Sequence, residues 1–255
     1  MNFSEKRILV TGGTRGIGRA TVEAFLGAGA RVGVHGRTQQ STEEAMRQLS
    51  AAERAVGIAG DLAVAEDCRR IVERTVAALG GLDVLVNNAG WGSGGAAETM
   101  SVEDWDRTIN VNLRAPFLCT QAAIPSLRES KGNIVNVGSI LGIRGYGLGG
   151  ADYCASKGGV VNLTRDLATE LGPEIRVNCL CPGAIDTDML RGGAAKEMGK
   201  GDVAAGYAIL SNNAPLKRVA RPEEMARAIL YLASEFASFV TGAVLVADGG
   251  MVVHI

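Results

Sequence analysis

"RILVTGGTRGIGRA", residues 7–20, passes from a short apolar run into a cluster of glycines and then into a helical pattern. The run "RILV" suits a strand, and Ile17, Ala20, Thr21, Ala24, Phe25 and Ala28 recur three and four apart before Gly29 closes the helix. Between them, Gly12, Gly13, Gly16 and Gly18 leave the backbone bare. A bare turn at the start of a helix can approach a pyrophosphate, whose charge meets free N–H groups and the helix dipole. The spacing differs from G-x-G-x-x-G, and the lysine of a P-loop is missing. A tight turn alone would also use glycines; the position directly after the first strand favours phosphate binding.

Outward from this stretch the pattern repeats. Apolar runs recur as "RVGV" at 31–34, "AVGIA" at 55–59, "DVLV" at 83–86, "NIVNV" at 133–137, "RVNCL" at 176–180 and "AVLVA" at 243–247. Such runs suit strands buried on both faces. Helical patterns separate them, one of which holds Met225, Ala226, Ile229, Leu230 and Ala233 after Pro222, a good first-turn residue. The expected fold is α/β: a single-domain, Rossmann-type, doubly wound parallel sheet of about seven strands with helices on both faces, spanning 1–255. Ligands should sit beyond the carboxyl ends of the strands. The segment 188–216 has weak periodicity and many small residues, which suggests a mobile insertion usable as a substrate lid.

Bulk properties narrow the function. Lys and Arg number 26 against 27 Asp and Glu, so no global field recruits nucleic acid or an anionic membrane surface. No charge-free stretch reaches the ~18 residues of a membrane span, and the N-terminus enters a strand directly, which suggests a cytoplasmic protein. Cys68, Cys119, Cys154, Cys179 and Cys181 show no metal-ligand spacing and read as reduced thiols. With only His35 and His254, the latter beside the C-terminus, a Ser-His-Asp hydrolase or a His-ligated zinc site is hard to assemble, and no metal is expected.

In a dinucleotide site an acid about 20 residues after the glycine turn would bind the adenosine ribose. The sequence there reads "VHGRTQQ"; the only acid between Gly18 and Arg37 is Glu23, inside the helix. Arg15 and Arg37 flank the expected ribose pocket, where guanidinium groups would pair with a 2′-phosphate. NADP(H) is favoured over NAD(H).

"DYCASKGG", 152–159, places Tyr153 four residues before Lys157. On a helix the two share a face, and an amphipathic helix with a packed tyrosine and a solvated lysine would do the same. With "TGGTRGIG" at 11–18, "NNAG" at 87–90, Ser139 after the fifth strand, "CPGAIDTDM" at 181–189 and "GAVLVADGG" at 242–250, this motif resembles the short-chain dehydrogenase/reductase family along essentially the whole chain. Within it, the 3-oxoacyl-[acyl-carrier-protein] reductase branch is the most similar. The resemblance implies a hydride transfer in which Tyr153 gives or takes the proton. An ammonium ~4 Å from a phenol, at an effective dielectric of ~20, contributes about 4 kcal/mol, on the order of three pKa units. Lys157 would thereby bring Tyr153 from ~10 toward ~7.

By the same resemblance Ser139 steadies the substrate oxygen, and Asn112 in "INVNL", rather than Asn110, holds a water near Lys157. Without Tyr153 nearby, Ser139 would read as the cap of a turn. Gly12, Thr14, Arg15, Gly16, Ile17 and Gly18 would hold the phosphates and Arg37 the 2′-phosphate. Asp61 and Leu62 would flank the adenine, and Asn88, Ala89 and Gly90 would run along the ribose. Lys157 would also bond the nicotinamide ribose, and Ile185 and Thr187, after Pro182 and Gly183, would hold the carboxamide. Ser139 and Tyr153 lie 14 apart where 13 is commoner, and the glycines of 144–152 can absorb the extra residue.

Trp91, Ile140, Leu141, Tyr146, Leu148, Met189, Leu190 and Tyr207 are candidates for a mostly apolar substrate pocket, and the tail "MVVHI" for an interface of a homotetramer. The leading expectation is an NADPH-dependent carbonyl reductase, or secondary-alcohol dehydrogenase, with 3-oxoacyl thioesters among the candidate substrates. An NAD-dependent alcohol, sugar or polyol dehydrogenase and a catalytically silent nucleotide sensor are the alternatives.

Overall fold

A computed structural model of the chain describes residues 1–145 and 150–253. In chain order the elements are β1 (Arg7–Val10), α1 (Gly16–Gly27), β2 (Arg31–Gly36), α2 (Gln39–Arg47), β3 (Ala55–Ala59), α3 (Ala65–Leu79), β4 (Val84–Asn87), α4 (Val102–Ile109), α5 (Ala115–Ser130), β5 (Asn133–Val137), α6 (Ala151–Leu171), β6 (Arg176–Pro182), α7 (Asp188–Gly192), α8 (Ala194–Met198), α9 (Val203–Asn213), α10 (Pro222–Ala233) and β7 (Val244–Ala247). All seven strands form one parallel sheet in the order β3-β2-β1-β4-β5-β6-β7.

Alternation along β1 explains why both faces must be covered. Ile8 and Val10 join one apolar layer with Val22 and Phe25 of α1 and Ile229 and Leu230 of α10. Leu9 points the other way, among Ile71 and Val72 of α3, Cys119 and Leu127 of α5, and Leu167 and Leu171 of α6. Each fully buried side chain of this size contributes roughly 1.5–3 kcal/mol, so the two layers clamp the sheet from both sides. The chain works outward from β1 to β3, then crosses back to lay β4 on the free side of β1. That reversal opens a crevice past the ends of β1 and β4, where ligands of such sheets bind.

The segment 188–216, expected to be a mobile insertion, is mostly helical, as α7, α8 and α9. Its short helices were hidden because their apolar residues, Ala195 and Leu210 with Leu190 and Tyr207 beside them, form a small separate cluster with Ile140 and Met251 rather than a stripe facing the sheet. Tyr146 and Leu148, part of the glycine-rich 144–152 connection and the last two residues of "MVVHI" lie outside the described residues. No helix among the described residues is long and apolar enough to cross a membrane.

Candidate active site

The floor of the crevice is built from backbone. Thr11, directly after β1, donates its N–H to Val86 O of β4 at 3.0 Å, and its hydroxyl accepts the N–H groups of Asn88 and Ala89 at 3.0 and 3.1 Å. The Asn88 amide returns two bonds, to Thr11 O at 2.9 Å and Gly12 O at 3.2 Å. These contacts lock "NNAG" against the glycine turn. Gly12 has φ +63°, and a Cβ on Gly18 would come 2.1 Å from Gly12 O, so the turn closes only with glycine at both places. A Cβ on Gly16 would sit 3.2 Å from Thr187 Cγ2, which brings the loop after β6 over the same turn.

Does this crevice suit a dinucleotide phosphate? The N-terminus of α1 has no side-chain cap and no acid in its first turn, so its free N–H groups keep their positive end. Arg15, at that cap position, and Arg37, just past β2, are exposed, and neither has an ion pair among the described residues. An uncapped helix end with two unpaired guanidiniums fits a phosphate-rich ligand. Thr14 and Ile17 line the same turn, partly buried. Asp61 follows β3 and accepts Ala63 N–H at 2.9 Å, whereas the Leu62 side chain is buried in the core, so only its backbone can face an adenine.

The side chains expected to react gather one strand further along. Ser139 follows β5, buried, with its Oγ accepting Leu141 N–H at 3.1 Å, so it does cap a turn, and the same hydroxyl hydrogen-bonds the Tyr153 side chain. Tyr153 and Lys157 lie on α6, with Nζ over the phenol ring at 5.6 Å from its centroid. The ammonium donates to Val137 O at 2.7 Å. A Cβ on Gly90 would sit 3.6 Å from Nζ and 3.8 Å from Asn112 Oδ1, so the end of "NNAG" passes directly over both. Gly92 passes over Tyr153 in the same way, its Cβ position 3.1 Å from the ring.

Asn112, rather than Asn110, is the buried asparagine. It stands in a single π turn, Asn110–Arg114, of the kind that re-aims groups at functional sites. Its amide clamps Trp91 from both sides: Trp91 N–H donates to Oδ1 at 2.8 Å, and Nδ2 donates to Trp91 O at 2.7 Å and to Ser156 Oγ at 3.0 Å. The indole is capped by Arg107 at 5.3 Å. Pro182 ends β6 and Gly183 follows it, Ile185 is buried, and the Thr187 hydroxyl accepts Leu190 N–H at 3.3 Å to start α7.

Electrostatics depart from the sequence expectation. Tyr153 is pushed up to about 12, with desolvation the largest cause and the Ser139 hydrogen bond pulling the other way. Lys157 is pushed down to about 8, again chiefly by desolvation. The lysine does share a helix face with the phenol, but it is buried and turned to a carbonyl, so burial outweighs its attraction for a phenolate and Tyr153 is not brought toward 7.

Two groups escaped sequence reasoning. Asp186 accepts from Tyr207 Oη at 2.6 Å and from Arg191 at 2.7 Å, and so ties α9 and α7 to the loop between Ile185 and Thr187. Its position inside "CPGAIDTDM" was the only signal. His35 entered the sequence argument only as half of a shortage, yet it is buried and bonds the glycine turn.

An uncapped helix end beside buried Ser139 and Lys157 and half-buried Tyr153 fits an oxidoreductase of the dinucleotide-binding α/β class. The family profile described as "Enoyl-(Acyl carrier protein) reductase" matches residues 12–252, and the chain belongs to the short-chain dehydrogenase/reductase family. It is 37% identical over 262 residues to the 3-oxoacyl-[acyl-carrier-protein] reductase FabG of Thermotoga maritima, covering 99% of this chain and 100% of that one. It is 38% identical to a 2,5-dichloro-2,5-cyclohexadiene-1,4-diol dehydrogenase of Sphingobium indicum, covering 98% of both. Among solved structures, a blue fluorescent protein from a metagenomic library in complex with NADPH superposes with a TM-score of 0.89 at 35% identity, covering 98% of this chain and 99% of that one.

Proposed function

We propose that the protein is an NADPH-dependent carbonyl reductase, working reversibly as a secondary-alcohol dehydrogenase, with 3-oxoacyl thioesters as the first substrate class to test. The observation that carries this reading is the convergence of Ser139, Tyr153 and Lys157 beside the glycine turn, under the ribose-side stretch Asn88–Gly90. A similar solved structure holds NADPH, and a similar curated relative is a 3-oxoacyl reductase. Arg15 and Arg37 take the 2′-phosphate; Gly12, Thr14, Gly16, Ile17 and Gly18 take the pyrophosphate; Asp61 and the Leu62 backbone face the adenine. Ile185 and Thr187, after Pro182 and Gly183, would hold the carboxamide end.

A nicotinamide nucleotide held here would supply the hydride and, when oxidised, a positive ring. The chain's own residues manage the oxygen. Ser139 donates to the substrate oxygen as charge grows on it, and Tyr153 delivers the proton. Lys157 would bond the ribose and act on the phenol, and Asn112, which fixes the Trp91 backbone, would hold a water near Lys157 through which protons reach solvent. In this reading the high Tyr153 value belongs to the protein without nucleotide, and added positive charge in the closed site lowers it.

The chain would act as one domain of 1–255, with 188–216 as a lid tied down by Asp186. A homotetramer and a cytoplasmic setting go with the reading. The test is loss of NADPH absorbance with a panel of 3-oxoacyl thioesters, simple ketones and diketones. No turnover of any of them by folded protein would overturn it.

A further inference from the structure

His35 sits at the end of β2 under the glycine turn, 3% exposed, and no step above uses it. Its ring touches two backbone groups. Gly12 N–H donates to Nδ1 at 3.0 Å, and Nε2 lies 3.0 Å from Gly60 O. A peptide N–H can only donate and a carbonyl can only accept, so Nδ1 must present a lone pair and Nε2 must carry the proton. The geometry itself fixes the tautomer. The adjacent Gly13 N–H donates to His35 O at 2.8 Å, and the Gly12 carbonyl accepts from Asn88 at 3.2 Å. Gly12 is therefore held at both ends of its peptide, and the ring joins the phosphate turn to the loop that carries Asp61.

We propose that His35 is a positioning residue for nucleotide binding: its neutral ring, protonated only on Nε2, shapes the phosphate turn by accepting the Gly12 N–H. The proposal rests on the reading that NADP(H) occupies the crevice. Protonating Nδ1 would set one N–H against another, and the turn would have to move away. The charged groups acting on the ring are Asp61, after β3, and Asp67 of α3, the latter paired with Arg70; both acids favour the imidazolium. Burial outweighs them and holds the imidazole below its ordinary value of 6.5. The neutral ring therefore prevails at and above neutrality and is lost as pH falls below the depressed value. Attraction between a cationic ring and the phosphates has the opposite sign, which makes the direction of the pH effect a discriminator.

The experiment is calorimetric titration of NADPH into wild type, His35→Asn and His35→Gln, with thermal melts of each. Asn places an acceptor where Nδ1 lies and keeps the Gly12 bond; Gln reaches only the Nε2 position. At pH 8, H35N should bind within about threefold of wild type and H35Q about tenfold more weakly. As His35 protonates, followed by its imidazole NMR signal from pH 8 down to the acid limit of folding, the ratio of wild-type to H35N dissociation constants should rise several-fold. Taking this ratio cancels titration of the nucleotide's own phosphate, which ionises near pH ~6.

Equal affinities for H35N and H35Q, or a ratio that stays flat or falls while the ring protonates, would overturn the proposal while leaving the nucleotide reading intact. Absence of NADPH binding by folded wild type at pH 8 would overturn both. If H35Q fails to fold, the pH dependence of the wild-type to H35N ratio decides alone.

Discussion

Replacing Arg37 by alanine should separate the two nicotinamide cofactors. The guanidinium is exposed and has no ion pair to lose among the described residues, so its removal costs little in the free protein. Opposite unit charges ~4 Å apart attract by about 1 kcal/mol in water and about 4 kcal/mol at an effective dielectric of ~20. An exposed site lies near the lower end, and a phosphate carrying about −1.5 to −2 charges raises it, giving about 1–2 kcal/mol. NADPH affinity should therefore fall roughly 5- to 30-fold in R37A, with NADH affinity changed less than about twofold. The assay is fluorescence titration of both cofactors at low ionic strength, repeated at 1 M salt, where a Debye length of about 3 Å should shrink the wild-type advantage. Equal losses for the two cofactors, or no loss for NADPH, would refute the assignment of the 2′-phosphate to this arginine.

Tyr153→Phe should lower kcat by about 10²- to 10⁴-fold, the usual weight of a general acid, while NADPH binding stays within a few-fold of wild type. Gly18→Ala drives a Cβ into Gly12 O and the Asn88 amide, so stability should drop by about 1–3 kcal/mol in a melt and nucleotide affinity should fall with it. With NADP(H) in excess, alcohol oxidation should speed up as pH rises, because it needs the Tyr153 phenolate, and carbonyl reduction should slow down, because it needs the phenol; the two initial-rate profiles check the sign. Tyr207→Phe removes the 2.6 Å bond to Asp186 and should raise KM more than it lowers kcat, since it loosens the lid and leaves the proton donor in place.

The strands were legible because a parallel strand buried on both faces leaves a short, continuous apolar run. "AVGIA" and "NIVNV" coincide with β3 and β5 to the residue. Pro222 opens α10 as its first-turn preference implies. Ser139, Tyr153 and Lys157 were legible as a group through the family resemblance, and the structure brings them together at the end of β5 and on α6. What escaped depends on contacts remote in sequence. His35 is 23 residues from Gly12, and Asp186 is 21 from Tyr207, so no local pattern joins them. The phenol's acidity escaped for another reason: spacing reports that Lys157 shares a face with Tyr153, but not that the lysine is buried and that desolvation prevails at both groups.

The most direct test of the account is the ionisation of Tyr153, read as the tyrosinate absorbance of wild type minus Tyr153→Phe across pH, with and without NADP⁺. Without nucleotide, Tyr153 should add no tyrosinate signal up to about pH 10, the ordinary tyrosine value. With nucleotide bound, wild type should ionise clearly below that value, while Lys157→Met should not. A phenol that titrates identically in the free and bound protein, or a K157M variant that matches wild type, would contradict the claim that positive charge in the closed site turns a desolvated tyrosine into a proton carrier.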